Sequence, residues 1–403
     1  MRFAVHVRAD LKERLNALAG EMSAWDGASR VDGAEAQRIR ERIAFFDHTT
    51  DRPGLTLAGV DGSGDYPALS YGDSFVYVTV AQGTLYTSDP HSGLKELPCP
   101  GTELLDFCWI PEDEVQRFES INGAFTRMVG QPIEEVIAAS DYAQLKERHS
   151  RRKSSVSELA AELIRPHAAD AGNLAIQLRS VGELSSALKL IRSPEAPRYV
   201  LLDSTMTLPF VSRPKNSLFQ EHLKRLCCVE ARQRGIGFMA LSKSHGLPSI
   251  ELIETLADEA AGRRGAEHWY LRLPRAGHDD WQLSLLKDRT VPPHGAVSYL
   301  VRFHRNVPVM RLDLDQHFWD SHLRGTSADE TRTNEQRLFQ DLDHASHDQR
   351  AYGYPYPIKA GHDRASMTEA ERVALRKMII DAAVAAGMRR ANFKNASAAT
   401  GHA

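Results

Sequence analysis

The stretch Leu57-Ala58-Gly59-Val60-Asp61-Gly62-Ser63 decides how the rest of the chain is read. Leu57, Ala58 and Val60 make a short apolar, strand-like run, Asp61 ends it, and Gly62-Ser63 signals a turn. A carboxylate at the end of a buried strand, followed by glycine, stands where a metal or a substrate backbone can come close. Taken alone, Asp61 reads equally well as a turn acid, so its meaning depends on the partners the chain supplies.

Working outward, Ser74–Val80 is rich in aromatic and β-branched residues, Gln82-Gly83 reads as a turn, and Thr84–Thr87 returns. The pattern predicts an antiparallel meander that starts from the Asp61 strand. Upstream, residues 1–50 read as an N-terminal helical segment. Asp10 caps a helix with Leu11, Leu15 and Leu18 at helical spacing, and a second helix over Ala36–Phe46 carries Ile39, Ile43 and Phe46. Downstream, Pro98, Pro100 and Pro111 break the chain before a helical insertion over about residues 105–170, with patterns at Glu112–Phe125 and Ile133–Arg148. A long helix fits Leu174–Arg192 and is stopped by Pro194 and Pro197; Tyr199–Leu202 is then a short buried strand that ends on Asp203. A helix over Leu218–Arg234 and a strand over Gly237–Leu241 repeat the alternation, which is that of a mixed α/β core. Further strands are expected at Tyr270–Leu273, Ser298–Phe303 and Val307–Leu314, helices at 249–263, Asp329–His344 and Thr368–Ala386, an extended loop at Tyr352–Pro357, and a polar tail from Asn392. The main domain is read as residues 55–370, with 371–403 as a closing helix and tail.

With 403 residues the chain can bury a full core, and 42% hydrophobic with 26% charged residues is an ordinary globular composition. A net charge of −3 argues against coating nucleic acid by bulk charge and leaves room for a local basic channel. Cys99, Cys108, Cys227 and Cys228 form no CxxC pair, so free thiols in a reducing cytoplasm are expected. The N-terminus turns charged too early for a signal peptide, and no apolar run is long enough for a transmembrane helix.

Three acids stand out by position. Asp61 and Asp203 end strands, and Glu183 lies on the helix before the second of these. Neighbouring strands are about 4.8 Å apart, so carboxylates at adjacent strand ends can share a divalent cation, with a third supplied by a covering helix. A first strand with Asp, a meander, a helix with Glu and a further strand with Asp is the order of a ribonuclease-H-like mixed sheet flanked by helices. Each residue also has a plainer reading: Asp203 as a cap, Glu183 as a solvated helix residue, Lys243 as a strand-end lysine, His362 as a surface histidine. The run from Lys146 to Lys153, with Arg151, Arg152 and Lys153, is either a solvated helix end or a phosphate contact.

VDGS at Asp61, YVLLDST at Tyr199–Thr205, IGFMALSKS at Ile236–Ser244 and GYPYPIKAGH at Gly353–His362 occur in an order that resembles the NurA nucleases, the nuclease partners of the HerA hexameric translocase. The resemblance implies a ribonuclease-H-like fold, Mn²⁺-dependent DNA cleavage with Mg²⁺ as the alternative ion, a homodimer with a central channel, and docking onto a HerA-like ATPase ring. It makes Asp61 and Asp203 metal-binding carboxylates and Glu183 the helix acid between them, with Glu158, Glu162 and Glu195 as alternatives. His362 becomes a ligand or proton handler, Lys243 a compensator of phosphate charge, and Tyr354 a residue positioning DNA or water, with Tyr356 competing for that role. Two departures concern backbone geometry: Ser204-Thr205 stand where the family has glycine, and Gly361 where it has alanine.

No GxxxxGK[ST] loop occurs, so the chain cannot supply its own P-loop motor and a nuclease would borrow one. A non-catalytic assembly module for the ATPase ring is the competing reading. A metal-free carboxylate-pair glycosidase is a third, disfavoured by the five tryptophans and the lack of an aromatic stripe.

Overall fold

The computed structural model describes residues 10–26, 33–89, 93–141, 171–206, 218–245, 247, 250–262, 265–274, 283 and 296–394. Arg151, Arg152 and Lys153 lie outside the described residues, as do Glu158 and Glu162.

Helices α1 (Leu11–Asp26) and α2 (Gly33–Arg42) precede a short strand β1 (Ala44–Phe45). Two long strands follow, β2 (Thr56–Tyr71) and β3 (Ser74–Asp89), then β4 (Gly93–Leu97) and β5 (Leu104–Ile110). Helices α3 (Glu114–Val129) and α4 (Ile133–Ala139) come next. The alternating core is α5 (Ala171–Arg192), β6 (Tyr199–Leu202), α6 (Leu218–Gln233) and β7 (Gly237–Ser242). After α7 (Ile250–Ala261) come β8 (Trp269–Arg272), β9 (Ala296–Arg302) and β10 (Met310–Asp315). Helices α8 (Ala328–Ser346), α9 (Tyr356–Ala365) and α10 (Glu369–Ala385) and strand β11 (Phe393–Lys394) close the chain.

All the strands join one eleven-stranded mixed sheet, in the order β1-β8-β9-β10-β7-β6-β2-β3-β4, with β5 beside β3 and β11 beside β2. The centre, β2-β6-β7, is parallel, and both flanks are antiparallel. Parallel strands buried on both faces need apolar residues at nearly every position, and YVLL and GFMAL, the latter followed by buried Ser242, meet that demand. On one face Ala58, Val60, Val200, Leu202, Phe238 and Ala240 pack with α3–α6. On the other, Leu57, Leu201, Met239 and Leu241 pack with α8 and α9. Each fully buried aliphatic side chain contributes about 1.5–3 kcal/mol, and the stripe of α5 (Leu174, Leu178, Val181, Leu184, Leu188, Ile191) is buried along its length.

Several local expectations are corrected. Asp61 does not end its strand: β2 runs on to Tyr71. Gln82-Gly83 is no turn either; it lies inside β3, with Gln82 opposite Asp61 and Gly83 opposite Val60, and the hairpin closes at Gly72-Asp73. The glycines misled because they serve close approach and not reversal. A Cβ on Gly83 would stand 2.8 Å from Leu190 Cδ1 and 2.9 Å from Thr102 Cβ. The insertion read from about residue 105 as helical opens instead with strand β5, where Leu105 and Phe107 face outward and Leu104 and Cys108 inward. The loop read over Tyr352–Pro357 becomes helix at Tyr356, because Pro357 in the first turn forgoes an N–H that would bond nothing. Phe393 and Lys394, read as tail, pair with Tyr71 and Ser70.

Candidate active site

The opening stretch carries the site through its glycines. Gly59 faces α9, and a Cβ there would sit 2.2 Å from the Pro357 carbonyl carbon. Gly361, on α9, would bring a Cβ to 3.2 Å from the Asp61 nitrogen. Gly62 points to the opposite face, where its Cβ would lie 2.8 Å from Glu183 Cγ. Two helices are thus drawn onto one strand segment from both sides, α9 bringing His362 and α5 bringing Glu183. Gly361, noted above as a departure, is what the close approach of α9 to Asp61 favours.

Strand register adds the second acid. Leu202 ends β6 opposite Val60, and the Asp203 N–H donates to the Val60 carbonyl at 3.4 Å. Asp203 therefore stands beside Asp61 across the parallel pair. Because β6 stops there, the edge of β2 at Asp61 is open, and groups from both faces can meet around it.

Asp61 is almost fully buried. Its Oδ2 lies 2.7 Å from His362 Nδ1, while Oδ1 accepts from the Gly62 N–H at 2.7 Å and from Arg179 Nη2 at 3.0 Å. Arg179 also donates through Nε to Glu183 Oε1 at 2.8 Å. This arginine was not singled out from sequence; its one signal is its place four residues before Glu183 on one helix face. Glu183 is buried, and burial, with the negative charges of Asp61 and Asp203, pushes its carboxyl up to about 7 against the opposing effect of Arg179. Burial raises Asp203 too; Asp61 adds to this and Lys243 opposes it.

The Lys243 ammonium sits 3.5 Å from the centroid of the Tyr354 ring, a cation–π contact that holds an exposed lysine beside the acids. The Tyr354 hydroxyl is buried beside the Asp203 carboxylate. Burial and the charges of Asp203 and Asp61 keep it protonated. Tyr356 is half-buried, edge-on to Tyr86 at 5.3 Å and under the Arg350 guanidinium at 3.7 Å, so packing accounts for its ring. The structure thus brings Asp61, Glu183, Asp203, Lys243, Tyr354 and His362 to one locality, while Tyr356 packs against Tyr86 and Arg350.

Three carboxylates and an imidazole are donors for a hard or borderline divalent cation. A buried carboxyl that favours its proton beside Asp61 and Asp203 is the sign of an anionic cluster short of positive charge, so the residues fit a metal. Their donor atoms are not closed on a common centre, since Arg179 spans Asp61 and Glu183. Among the described residues, a group with all donors within 4.8 Å of one another is found elsewhere, at His48, Asp343 and His347.

No family model matches the chain, and no curated protein matches it. Among solved structures it is similar to the NurA nuclease from Sulfolobus solfataricus, at 12% identity and a TM-score of 0.43, covering 93% of this chain and 96% of that one. It is also similar to NurA with manganese (13% identity, TM-score 0.38, 95% and 99% covered) and to NurA bound to dAMP and manganese (12%, 0.37, 96% and 99%). At TM-scores under 0.5, these likenesses decide neither the fold nor the activity of this chain.

Proposed function

We propose that the chain is a divalent-metal-dependent deoxyribonuclease built on a ribonuclease-H-like core. The observation that carries this reading is the meeting of Asp61, Asp203, Glu183 and His362 at the open end of β6. The sheet order around it supports the fold reading: an antiparallel group led by β2, then β6 and β7 parallel to it.

Asp61, Glu183 and Asp203 would hold Mn²⁺, or Mg²⁺, with His362 as a further ligand or proton carrier. A divalent cation there supplies an activated water and compensates the leaving oxygen in phosphodiester hydrolysis. Asp61 Oδ2 orients the His362 ring through Nδ1, and the other ring nitrogen, Nε2, lies 3.4 Å from the Ser366 hydroxyl. Lys243, pinned on the Tyr354 ring, offsets charge on a bound phosphate. Tyr354 orients DNA or water through its protonated hydroxyl. The basic run at Arg151, Arg152 and Lys153 would contact the nucleic acid backbone.

The wider reading is a cytoplasmic homodimer that receives DNA from a HerA-like hexameric ATPase, in DNA end processing, repair or antiviral defence. The net charge of −3 supports weak DNA binding without that partner. The deciding experiment incubates linear DNA and Mn²⁺ with wild type, Asp61→Ala and Asp203→Ala. Loss of cleavage in both variants and in EDTA is expected; equal activity in all three proteins would refute the assignment. Co-purification with the ATPase, with and without residues 1–50, tests the partner.

One observation favours a non-catalytic assembly module: Arg179 already bridges Asp61 and Glu183, as in a purely structural ion network. Under that reading the protein binds Mn²⁺ no better than the Asp61→Ala variant does.

A further inference from the structure

A second constellation lies away from these acids. Asp343 on α8 is completely buried. Its Oδ2 is 2.7 Å from Nδ1 of His48, in the segment after β1. His347, one helical turn further along from Asp343, places Nδ1 3.1 Å from Asp343 Oδ1 and 2.9 Å from the Asp343 carbonyl. His268, just before β8, brings Nε2 to 3.7 Å from the same Oδ1. The rings crowd together: centroids are 3.9 Å apart for His48 and His347, and 5.5 Å for His268 and His347.

Two features are not accounted for by a hydrogen-bonded cluster. Asp343 Oδ1 and His268 Nε2 are both shielded from solvent and both lack a hydrogen-bond partner. Buried polar atoms in native proteins are nearly always hydrogen-bonded, so these two, 3.7 Å apart and with only the His347 Nδ1 contact at 3.1 Å to Oδ1 beside them, ask for a third body. His268 is also the one non-glycine residue at positive φ, +54°, among the described residues. Such backbone strain persists where the surroundings demand it, and here it aims the ring at Asp343.

We propose that His48, His268, Asp343 and His347 form a Zn²⁺-class metal site. Three imidazoles and one carboxylate suit a borderline cation, and four protein ligands close a tetrahedral shell, the mark of a structural site. Ligands on tetrahedral Zn²⁺ are roughly 3.3 Å apart; the donors of His48, Asp343 and His347 already lie within 4.8 Å of one another. The exposed side of His48 gives the ion a way in. The site joins three segments distant in sequence: the stretch after β1, the start of β8 and the end of α8.

It is distinct from the acids above. Asp341, two residues before Asp343, accepts from Tyr199 at the start of β6, whereas Asp203 follows that strand's other end.

The test uses full-length protein carrying Asp61→Ala and Asp203→Ala, stripped with chelator and titrated with Co²⁺ alone. One equivalent with the intense visible bands of tetrahedral Co²⁺ is expected, displaced by Zn²⁺. Adding His48→Ala or His347→Gln should abolish the bands and weaken binding at least 100-fold; because His48 also bonds buried Asp343, circular dichroism first establishes that each variant is folded. Zn²⁺ should raise the melting temperature only when His48 is present. Absence of tetrahedral bands, or binding unchanged in the His48 variant, would overturn the proposal. None of these readouts depends on nuclease activity.

Discussion

Replacing Glu183 by Gln should stabilise the metal-free protein, and by an amount that depends on pH. Gln copies the neutral form of the acid and keeps an oxygen for Arg179. In the folded chain, burial and the charges of Asp61 and Asp203 raise the Glu183 carboxyl from 4.5 to about 7. The folded state therefore holds this proton more tightly than the unfolded chain does. Well below pH 4.5 the group is neutral in both states and imposes no penalty. The penalty grows between pH 4.5 and 7 and is complete above 7, so stability falls as pH rises through that window. At 1.36 kcal/mol for each tenfold change in proton affinity, the ceiling is about 3 kcal/mol. Urea unfolding in EDTA should show Glu183→Gln more stable than wild type by less than about 1 kcal/mol at pH 5 and by about 3 kcal/mol at pH 8. Excess Mn²⁺ at pH 8 should narrow or reverse the gap, since only the wild type keeps all three carboxylates. A gap independent of pH, or a variant less stable at pH 8, would refute the reasoning.

Other substitutions probe the frame around the site. Gly59→Ala drives a methyl into the Pro357 backbone at 2.2 Å; α9 must shift, at a cost of about 3 kcal/mol in chemical unfolding, and cleavage should fall because His362 moves with it. Arg376 grips buried Asp65 through Nε and Nη2 at 2.8 and 2.9 Å, tying α10 to β2. Arg376→Leu leaves that carboxylate unpaired and should cost about 3–5 kcal/mol, most of it recovered by adding Asp65→Leu. His362→Ala should reduce Mn²⁺-dependent cleavage at least about 100-fold with little change in melting temperature, because the imidazole is half exposed.

The parallel centre was legible because its chemistry is local: YVLL and GFMAL are apolar at every position, and Leu174–Arg192 repeats at helical spacing. Register was not legible: the sequence set Asp61 and Asp203 at neighbouring strand ends, and the structure pairs Leu202 with Val60 inside a longer β2. Glycine was misread. In Gly59, Gly62 and Gly83 the absence of a side chain serves a neighbour that arrives from residues 183, 190 or 357, and a short window shows only the gap. Arg179 escaped notice because an arginine on a helix is ordinarily solvated; its role depends on where β6 stops. The His48, His268, Asp343 and His347 cluster was invisible for a related reason, since its members are scattered over 300 residues and none sits in a recognisable motif.

The glycine packing around Asp61 has a consequence for how variation at this site would be tolerated. Chemistry and assembly are assigned to different residues. In a saturation library scored for cellular abundance, substitutions at Glu183 should pass easily, since removing its buried charge relieves the fold, and those at Asp61 should cost only its bonds to Arg179, His362 and the Gly62 N–H, while Gly59 and Gly62 should tolerate almost nothing. Scored for DNA cleavage, all four positions should be intolerant. The acids would then separate from the glycines by the difference between the two screens, and a lineage that lost its activity would be expected to lose its carboxylates first and its glycines last.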